Sequence, residues 1–354
     1  MLLIGTDDGI YRWAEGNNWP VFHGLQGRAV VGLASPGAGF LAVLDGEGLV
    51  WESGNNGQSW REVPLPDGLG KASAIALGGT PASILLAGSG PALYRRMLGS
   101  TLRTSSPLEL ARRAAPMIAE RAMTIVRSRT GGGTAVAAPP KRPATVDLRG
   151  WTKLNAPKLA TPREVTTMTT TLDAWYAAVA GEGLWSSTDG GLSWSRCEGL
   201  PADVNSVRAV PGKSGQLLAA TSEGVWFSGD AGKSWESRSK GLESAPNVQA
   251  IESCPDQPDF LLAGAAPAKP ASGPAPIYGL YESKDAGKSW VRVLRSFPEN
   301  PRDPIADIRF DPTLPENAAV AFESGEIWVT LNGGDYWQPF VRDIDAARVL
   351  CPVL

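Results

Sequence analysis

Short apolar runs alternate with turn residues along most of this chain, and the three- to four-residue apolar spacing of a helix is scarce. Residues 247–290 show the recurring unit. Apolar runs at 248–252, 260–264 and 277–282 are separated by turns that contain Gly or Pro, and Trp290 begins a fourth run. Runs of this length that are bounded by Gly, Pro, Asn, Asp and Ser predict strands. Each unit therefore predicts four strands.

The unit repeats at a nearly constant spacing, which the Trp of each fourth run marks. Four-stranded units that recur about every 40 to 45 residues are typical of a β-propeller. The sequence therefore predicts an all-β, seven-bladed β-propeller. The marking residues are Trp19, Trp60, Trp151, Trp194, Trp235, Trp290 and Trp337, at intervals of 41, 91, 43, 41, 55 and 47 residues.

The two ends of the chain complement each other. Residues 2–5 and 9–13 match the second and third strands of a unit, but no first strand precedes them. Residues 347–352 resemble the first strands at 250–255 and 307–312. We therefore expect one blade to be built from both ends, which would remove the open sheet edges that invite aggregation.

A polar phrase, Ser/Thr-x-Asp/Asn-x-Gly followed by Trp, recurs between the third and fourth strands. We interpret it as structural, because Asp or Asn can accept backbone N–H groups and Gly can adopt positive φ. The Trp is expected to pack between blades with its indole N–H near a polar partner. The five copies are Ser53, Asn55, Gly57 and Trp60; Ser187, Asp189, Gly191 and Trp194; Ser228, Asp230, Gly232 and Trp235; Ser283, Asp285, Gly287 and Trp290; and Thr330, Asn332, Gly334 and Trp337.

The phrases resemble the Asp-box, or bacterial neuraminidase repeat, of sialidases, sortilin-type receptors and photosystem II stability and assembly factors. Of these families, the assembly factors resemble the chain most. The resemblance extends to Gly183-Leu184-Trp185 before one phrase and to the Gly-Leu pairs 199–200 and 241–242 after two phrases. The resemblance covers nearly everything outside residues 97–150. It implies a non-enzymatic scaffold that docks on photosynthetic, membrane-associated protein complexes during their assembly.

Members of that family usually carry a leader for export or thylakoid import. Residues 1–8 have no basic region and no long apolar run, and no stretch approaches the ~18 apolar residues of a membrane span. Cys197, Cys254 and Cys351 form no Cys-x-x-Cys pair and are expected to be reduced thiols. We expect a cytoplasmic protein that can lie peripherally at the cytoplasmic face of a membrane.

Residues 97–150 interrupt the repeat in blade two and divide the chain into propeller (1–96), insertion (97–150) and propeller (151–354). Ser106, Pro107 and Glu109 form a capping box, which predicts a helix after it. Residues 95–149 hold eleven Arg and Lys but three Asp and Glu, a net charge of +8, whereas the rest of the chain carries −11. The insertion is thus predicted to be a basic, helical and Pro/Gly-rich arm.

The arm can lie on an anionic membrane surface, enter a groove on a protein partner, bind its own acidic propeller, or simply pack over the blade edge. Nucleic acid is not expected, because no aromatic residues interleave with the arginines and the whole chain has a net charge of −3. The candidate partner-binding residues of the arm are Arg112, Arg113, Ile118, Arg121, Ile125, Arg127 and Arg129.

Two further sets of charged residues follow from the repeat. Arg28, Lys71 and Arg163 stand just before the first strands of blades one to three, which predicts either a docking patch for an acidic partner or a solvated rim. Arg208, Glu252 and Arg309 share one position in the first strands of blades four to six, which predicts a charged arc near the axis. Their simplest role is a salt-bridged channel lining.

Candidate chemistry is sparse. His23 is the only histidine, so a multi-His zinc site is excluded and a Ser-His-Asp arrangement has little support. No Tyr occupies the first-strand position that a sialidase-like nucleophile would need. We therefore expect no catalytic residues, no metal and no cofactor, and a protein-interaction scaffold that acts as an assembly factor or accessory subunit. The alternative is a glycan-binding or glycoside-hydrolysing propeller that uses its central channel.

Overall fold

The computed structural model describes residues 2–13, 20–37, 40–78, 83–88, 92–98, 150–157, 163–171, 173–268, 276–299, 301–341 and 347–352. In these residues, 28 strands form seven four-stranded antiparallel sheets. In chain order, the strands are β1 (Leu2–Thr6), β2 (Gly9–Trp13), β3 (Val21–Gly24), β4 (Val30–Gly37), β5 (Phe40–Asp45), β6 (Val50–Ser53), β7 (Arg61–Val63), β8 (Ala72–Gly78), β9 (Ser83–Gly88), β10 (Leu93–Met97), β11 (Trp151–Lys153), β12 (Val165–Thr170), β13 (Trp175–Val179), β14 (Gly183–Ser187), β15 (Ser195–Arg196), β16 (Val204–Ala209), β17 (Leu217–Thr221), β18 (Gly224–Ser228), β19 (Glu236–Ser237), β20 (Asn247–Ser253), β21 (Leu261–Ala266), β22 (Gly279–Ser283), β23 (Val291–Arg292), β24 (Ile305–Phe310), β25 (Ala318–Phe322), β26 (Ile327–Thr330), β27 (Gln338–Val341) and β28 (Ala347–Pro352).

The seven sheets are the blades of a propeller, which confirms the predicted fold class. Blades one to six are β4–β7, β8–β11, β12–β15, β16–β19, β20–β23 and β24–β27. The closing blade has the strand order β28-β1-β2-β3. In it, Leu2 pairs with Pro352 and Ile4 with Leu350, so strands from the two ends of the chain share one sheet, as predicted.

The first strand of each blade faces the propeller axis, and all seven first strands have the same irregularity. Each shifts register by one residue against its second strand near its beginning, as between Val204 and Ser206 or between Ile305 and Asp307. Such bulges bend a strand and re-aim its side chains. The repeated shift therefore sets which residues line the axial channel.

The hydrophobic core lies between blades rather than at the axis. Second strands are almost wholly buried, and each apolar cluster joins two neighbouring blades, as where Leu218 of blade four packs with Ile251 and Trp290 of blade five. Each third strand also places an aromatic side chain at one equivalent register position. These residues are Tyr11, Trp51, Tyr94, Trp185, Trp226, Tyr281 and Trp328.

Antiparallel order assigns the loops to two faces. Loops that join first to second and third to fourth strands lie on one face, which we call the turn face because the recurring phrases are there. Loops that join second to third strands, and each blade to the next, lie on the opposite face, the entry face. Arg28, Lys71 and Arg163 precede first strands and therefore belong to the entry face.

Blade two is complete without its insertion. β10 pairs with β11 through Tyr94 opposite Lys153 and Arg96 opposite Trp151, as the sequence predicted. The strand ends that flank the insertion, at Met97 and Trp151, lie on the turn face. The predicted helix, and all seven partner-binding residues assigned to the arm, fall outside the described residues.

Blade two has an arginine where five other blades begin the recurring turn, and this arginine pairs with a carboxylate of blade one. Arg96 occupies the register position that Ser53 and Ser187 hold in blades one and three. Its Nη1 lies 2.7 Å from Oε2 of Glu52 in blade one, and both side chains are largely buried. The exposed Arg61 also pairs with Glu52. This arrangement links blades one and two.

We predict that Arg96→Met lowers the free energy of unfolding by about 2–3 kcal/mol. Loss of one member of a buried ion pair typically costs ~3–5 kcal/mol because a charge is left buried, and Arg61 offsets part of that cost. Arg61→Met should cost less than about 1 kcal/mol, because its side chain is 74% exposed. Denaturant unfolding measures both. Equal effects of the two variants would contradict the assignment.

Candidate functional site

The five recurring turns share one hydrogen-bond pattern. In each, the Ser or Thr hydroxyl donates to Oδ1 of the Asp or Asn at 2.8–3.0 Å and accepts the Gly N–H at 2.8–3.0 Å. The same Oδ1 accepts the backbone N–H four residues further along. All five Gly residues have φ between 80° and 90°. The side chains of the phrase are therefore occupied within their own turn.

Three of these turns also contact the preceding blade. The residue before the Gly has positive φ in every copy. The carbonyl of Asn56 contacts Nε2 of His23 at 2.6 Å, that of Ala231 accepts the Tyr176 hydroxyl at 3.1 Å, and that of Ala286 accepts Nη1 of Arg238 at 2.6 Å. The only histidine thus lies at a contact between blades rather than beside the channel.

The expected indole contacts form in two of the five copies. Trp235 donates to the carbonyl of Gly232, and Trp290 donates to the carbonyl of Arg238. The buried indole nitrogens of Trp60, Trp194 and Trp337 have no hydrogen-bond partner among the described residues. The acceptor thus comes from the same turn for Trp235 and from the neighbouring blade for Trp290.

Hydrogen bonding alters the acidity of the turn carboxylates. The Ser234 hydroxyl, the Ser234 N–H and the Ser228 hydroxyl all donate to Asp230, which lowers its pKa from 3.8 to about 2. Because the folded state favours the carboxylate, its contribution to stability is complete above the unfolded pKa of about 4 and is lost as the pH falls toward 2.

We predict that Asp230→Asn flattens the acid dependence of stability. Asn keeps the Oδ1 acceptor, as Asn55 and Asn332 do in their turns, but it does not titrate. The melting temperature should therefore fall less steeply between pH 4 and pH 2 for the variant than for the parent chain. The converse change, Asn332→Asp, should make the fall steeper. Parallel curves for all three proteins would contradict the prediction.

The predicted charged arc lies in the axial channel as one ion-pair network. Arg208 Nε lies 3.2 Å from Oε2 of Glu252, and Arg309 Nη1 lies 2.7 Å from the same oxygen. Asp307 joins both arginines, at 3.4 Å from Arg208 and 3.0 Å from Arg309. The network therefore holds two arginines and two carboxylates, on blades four to six.

Asp307 was missed because its counterparts two residues before Arg208 and Glu252 are Ser206 and Ala250, which carry no charge. The two-residue alternation of a strand, counted back from Arg309, is the signal that places it on the same side.

The network also binds the closing strand. Asp307 Oδ2 accepts the N–H of Leu350 at 3.0 Å, and Arg309 Nε donates to the Leu350 carbonyl at 3.2 Å. Burial and the neighbouring Arg309 lower the pKa of Arg208. Burial also acts to lower the pKa of Arg309, but Asp307 and Glu252 outweigh it and raise the pKa. Both arginines remain charged near neutral pH.

The predicted cations on the entry face are not equivalent. Arg28 is bound within blade one: its Nη1 lies 2.9 Å from Oδ2 of the buried Asp45, and its guanidinium stacks 4.5 Å from the ring of Trp51. Lys71 and Arg163 are exposed. The geometry thus leaves two of the three cations on the surface, and their role as a docking patch stays a prediction.

Neither a membrane span nor a metal centre is found in the part of the chain that the structure describes. Among these residues there is no helix long and apolar enough to cross a membrane. It also contains no group of three or more His, Cys, Asp or Glu side chains placed to hold a metal ion. Cys197, Cys254 and Cys351 are buried and free of disulfides.

Sequence comparison finds a partial relative. No family model matches the chain. The xyloglucanase Xgh74A of Acetivibrio thermocellus is 36% identical over 124 residues, which are 34% of this chain. The match spans only 14% of the length of that curated relative.

Solved structures share the fold. A GH74 xyloglucanase from Xanthomonas campestris superimposes with a TM-score of 0.61 and 18% identity, over 96% of this chain and 52% of the enzyme. YCF48 bound to D1 peptide gives a TM-score of 0.57 with 12% identity, over 93% and 86% of the two chains. YCF48 from Cyanidioschyzon merolae gives 0.52 with 12% identity, over 88% and 84%. At these identities the likeness establishes the propeller fold alone.

Proposed function

We propose that this protein is a non-enzymatic interaction scaffold, an assembly factor or accessory subunit of a larger protein complex, and that it docks through residues 97–150 and the turn face. One observation carries the proposal. β10 and β11 pair directly, so blade two has its four strands without any contribution from residues 99–149. The sheet of blade two does not need this segment, and the segment carries a large excess of positive charge. Both properties suit it to binding a partner.

The position of the insertion supports the same proposal. Blades one, three, four, five and six close this hairpin with a short turn whose polar side chains are bonded internally. Blade two has instead Arg96 bound to Glu52, together with strand ends that open toward the turn face. A partner that contacts the insertion would therefore meet the turn face first.

The comparisons give this proposal a precedent. YCF48 has been solved with a D1 peptide, and the likeness covers most of both chains rather than part of a larger enzyme. By analogy, the partner here is a protein, and membrane-protein subunits are the class that we propose. A photosynthetic complex, an Asp-box origin for the turns and a location at the cytoplasmic membrane face are finer parts of the same proposal.

The channel chemistry also favours a non-enzymatic role. Glycoside hydrolysis commonly needs one protonated carboxyl group and a second carboxylate on the other side of the bond that breaks. Glu252 and Asp307 are both paired with Arg208 and Arg309. Both carboxylates are therefore engaged in the ion-pair network, which favours a structural role for them.

A second candidate rests on the sequence match to Xgh74A. Identity of 36% over 124 residues is the observation that favours a glycan-binding or glycoside-hydrolysing propeller. We rank it second because the match covers a small part of that enzyme.

We predict that the insertion can be removed without unfolding the propeller. In blade three, residues 188–193 join Ser187 to Trp194, which are equivalent to Arg96 and Trp151. Replacing residues 97–150 by that six-residue turn should keep the β-sheet circular dichroism signal and the melting temperature within a few degrees. Binding is measured by affinity capture from the native source with quantitative mass spectrometry and by flotation with phosphatidylglycerol vesicles. In both assays the shortened protein should bind at least about tenfold less material than the parent chain.

A charge-neutralised variant is the matched control for this experiment. Changing the arginines of the arm to Gln keeps the chain length, so loss of capture in both variants assigns binding to the charge. Undiminished capture by the shortened protein would overturn the docking role of the insertion. The changed residues are Arg112, Arg113, Arg121, Arg127 and Arg129.

We predict that the intact chain neither hydrolyses nor binds xyloglucan. Reducing-end release from xyloglucan oligosaccharides, followed over hours at a range of pH values, should equal that of a blank. Titration calorimetry with the same oligosaccharides should give no saturable heat. Turnover that disappears in an Asp307→Asn variant would instead establish the second candidate.

A further inference from the structure

The axial channel contains a partly open space of about 380 Å³ between the first strands. Only three charged side chains line it, among the residues that the structure describes: Arg208, Arg309 and Asp307. Glu252, which pairs with both arginines, is not among the lining residues. The charges that face the space therefore sum to +1, although the whole network is neutral.

The acceptors of the network are engaged. Oδ1 of Asp307 accepts the N–H of Ile308 and faces both arginines, and Oδ2 accepts the N–H of Leu350. Oε2 of Glu252 accepts from both arginines, and Oε1 accepts the N–H of Ser253. Every carboxylate oxygen thus already has at least one donor.

The donors are not all used. Nε of Arg309 donates to the Leu350 carbonyl. Nη1 of Arg309 contacts Glu252, Asp307 and the carbonyl of Ile308 in its own strand. Nη2 of Arg309 has no acceptor among the described residues. Nη1 and Nη2 of Arg208 each donate to a single oxygen, the Val207 carbonyl and Oδ1 of Asp307, and both distances are 3.4 Å. An arginine carries five N–H donors and no acceptor, so at least four N–H groups of this pair lack a protein acceptor.

The blades that carry neither arginine provide space and hydroxyl groups. At the ring position of Arg208 and Arg309, blades one and two have Ala34 and Ala76, and blade three has Thr169. Thr169 and Thr167 both line the space. Small side chains facing two guanidinium groups leave room for an acceptor-rich group between them.

We propose that the axial channel binds a small oxyanion, a carboxylate or phosphate group, through Nη2 of Arg309 and the Nη groups of Arg208, with Thr167 and Thr169 on blade three, the blade next to that of Arg208. Charge-assisted hydrogen bonds from guanidinium groups to such oxygens are short and strong. Glu252 and Asp307 hold the two arginines in place, so the donors are positioned before the anion arrives. This site is independent of the insertion and of the partner proposed for it.

The test uses the full chain with malonate and inorganic phosphate as probes. Both ligands and two controls, the neutral isostere malonamide and sodium chloride at equal ionic strength, are titrated by calorimetry and by thermal melting. A saturable heat and a saturable rise in melting temperature are expected with malonate or phosphate and with neither control. Preference between the probes distinguishes a planar carboxylate from a tetrahedral phosphate. No saturable effect of either anion overturns the proposal.

Three variants locate the site, and none of them changes Arg309 or its hydrogen bond to Leu350. Arg208→Gln should weaken binding at least about tenfold. Ala76→Glu adds a carboxylate at the same ring position on the opposite side of the channel and should abolish binding, while its melting temperature without ligand shows whether the protein is folded. Thr169→Val, a change of similar volume, should weaken binding a few-fold. Binding that is unchanged in folded Arg208→Gln and Ala76→Glu proteins would place the anion elsewhere and overturn the proposal.

Discussion

The pairing of β28 with β1 is the constraint on which the rest of the molecule depends. Apolar clusters lie between neighbouring blades, so the blade at each end of an open chain would leave one such surface exposed to water. Closure converts the row of blades into a ring in which every blade has two neighbours. The closing strand is held on its second side as well, because Asp307 and Arg309 bind the N–H and the carbonyl of Leu350 that face the channel.

The contacts between blades explain why one blade can accommodate an insertion. Where the recurring turn is present, its backbone carbonyl can bond to the preceding blade, as Ala231 does with Tyr176. Blade two lacks the turn, and Arg96 makes the link to blade one through Glu52 instead. A side chain that belongs to a strand does not depend on the length of the loop after it. The length of the loop between the third and fourth strands of blade two can therefore vary without separating blades one and two.

The repeat made most of the fold predictable, because each unit could be compared with the others at equal positions. The same comparison found Arg208, Glu252 and Arg309, which share one position in three blades. It could not find Asp307, whose counterparts are uncharged, nor the Glu52–Arg96 pair, which depends on how adjacent blades meet. The acceptor of the Trp290 indole is equally a property of the neighbouring blade, because Arg238 of blade four supplies the carbonyl, whereas Trp337 has no acceptor among the described residues.

The channel network connects ligand binding to ring closure. Arg309 holds the closing strand with Nε and would hold an anion with Nη2, so both interactions require one orientation of one side chain. An anion that binds only the closed ring must stabilise it in proportion to ligand concentration, since linkage adds RT ln(1 + [L]/Kd) to the free energy of unfolding. Detachment of β28 from both β1 and blade six would release Leu350, free Arg309 to move and weaken the site. A ligand in the channel and the strand that closes the ring therefore reinforce each other through Arg309.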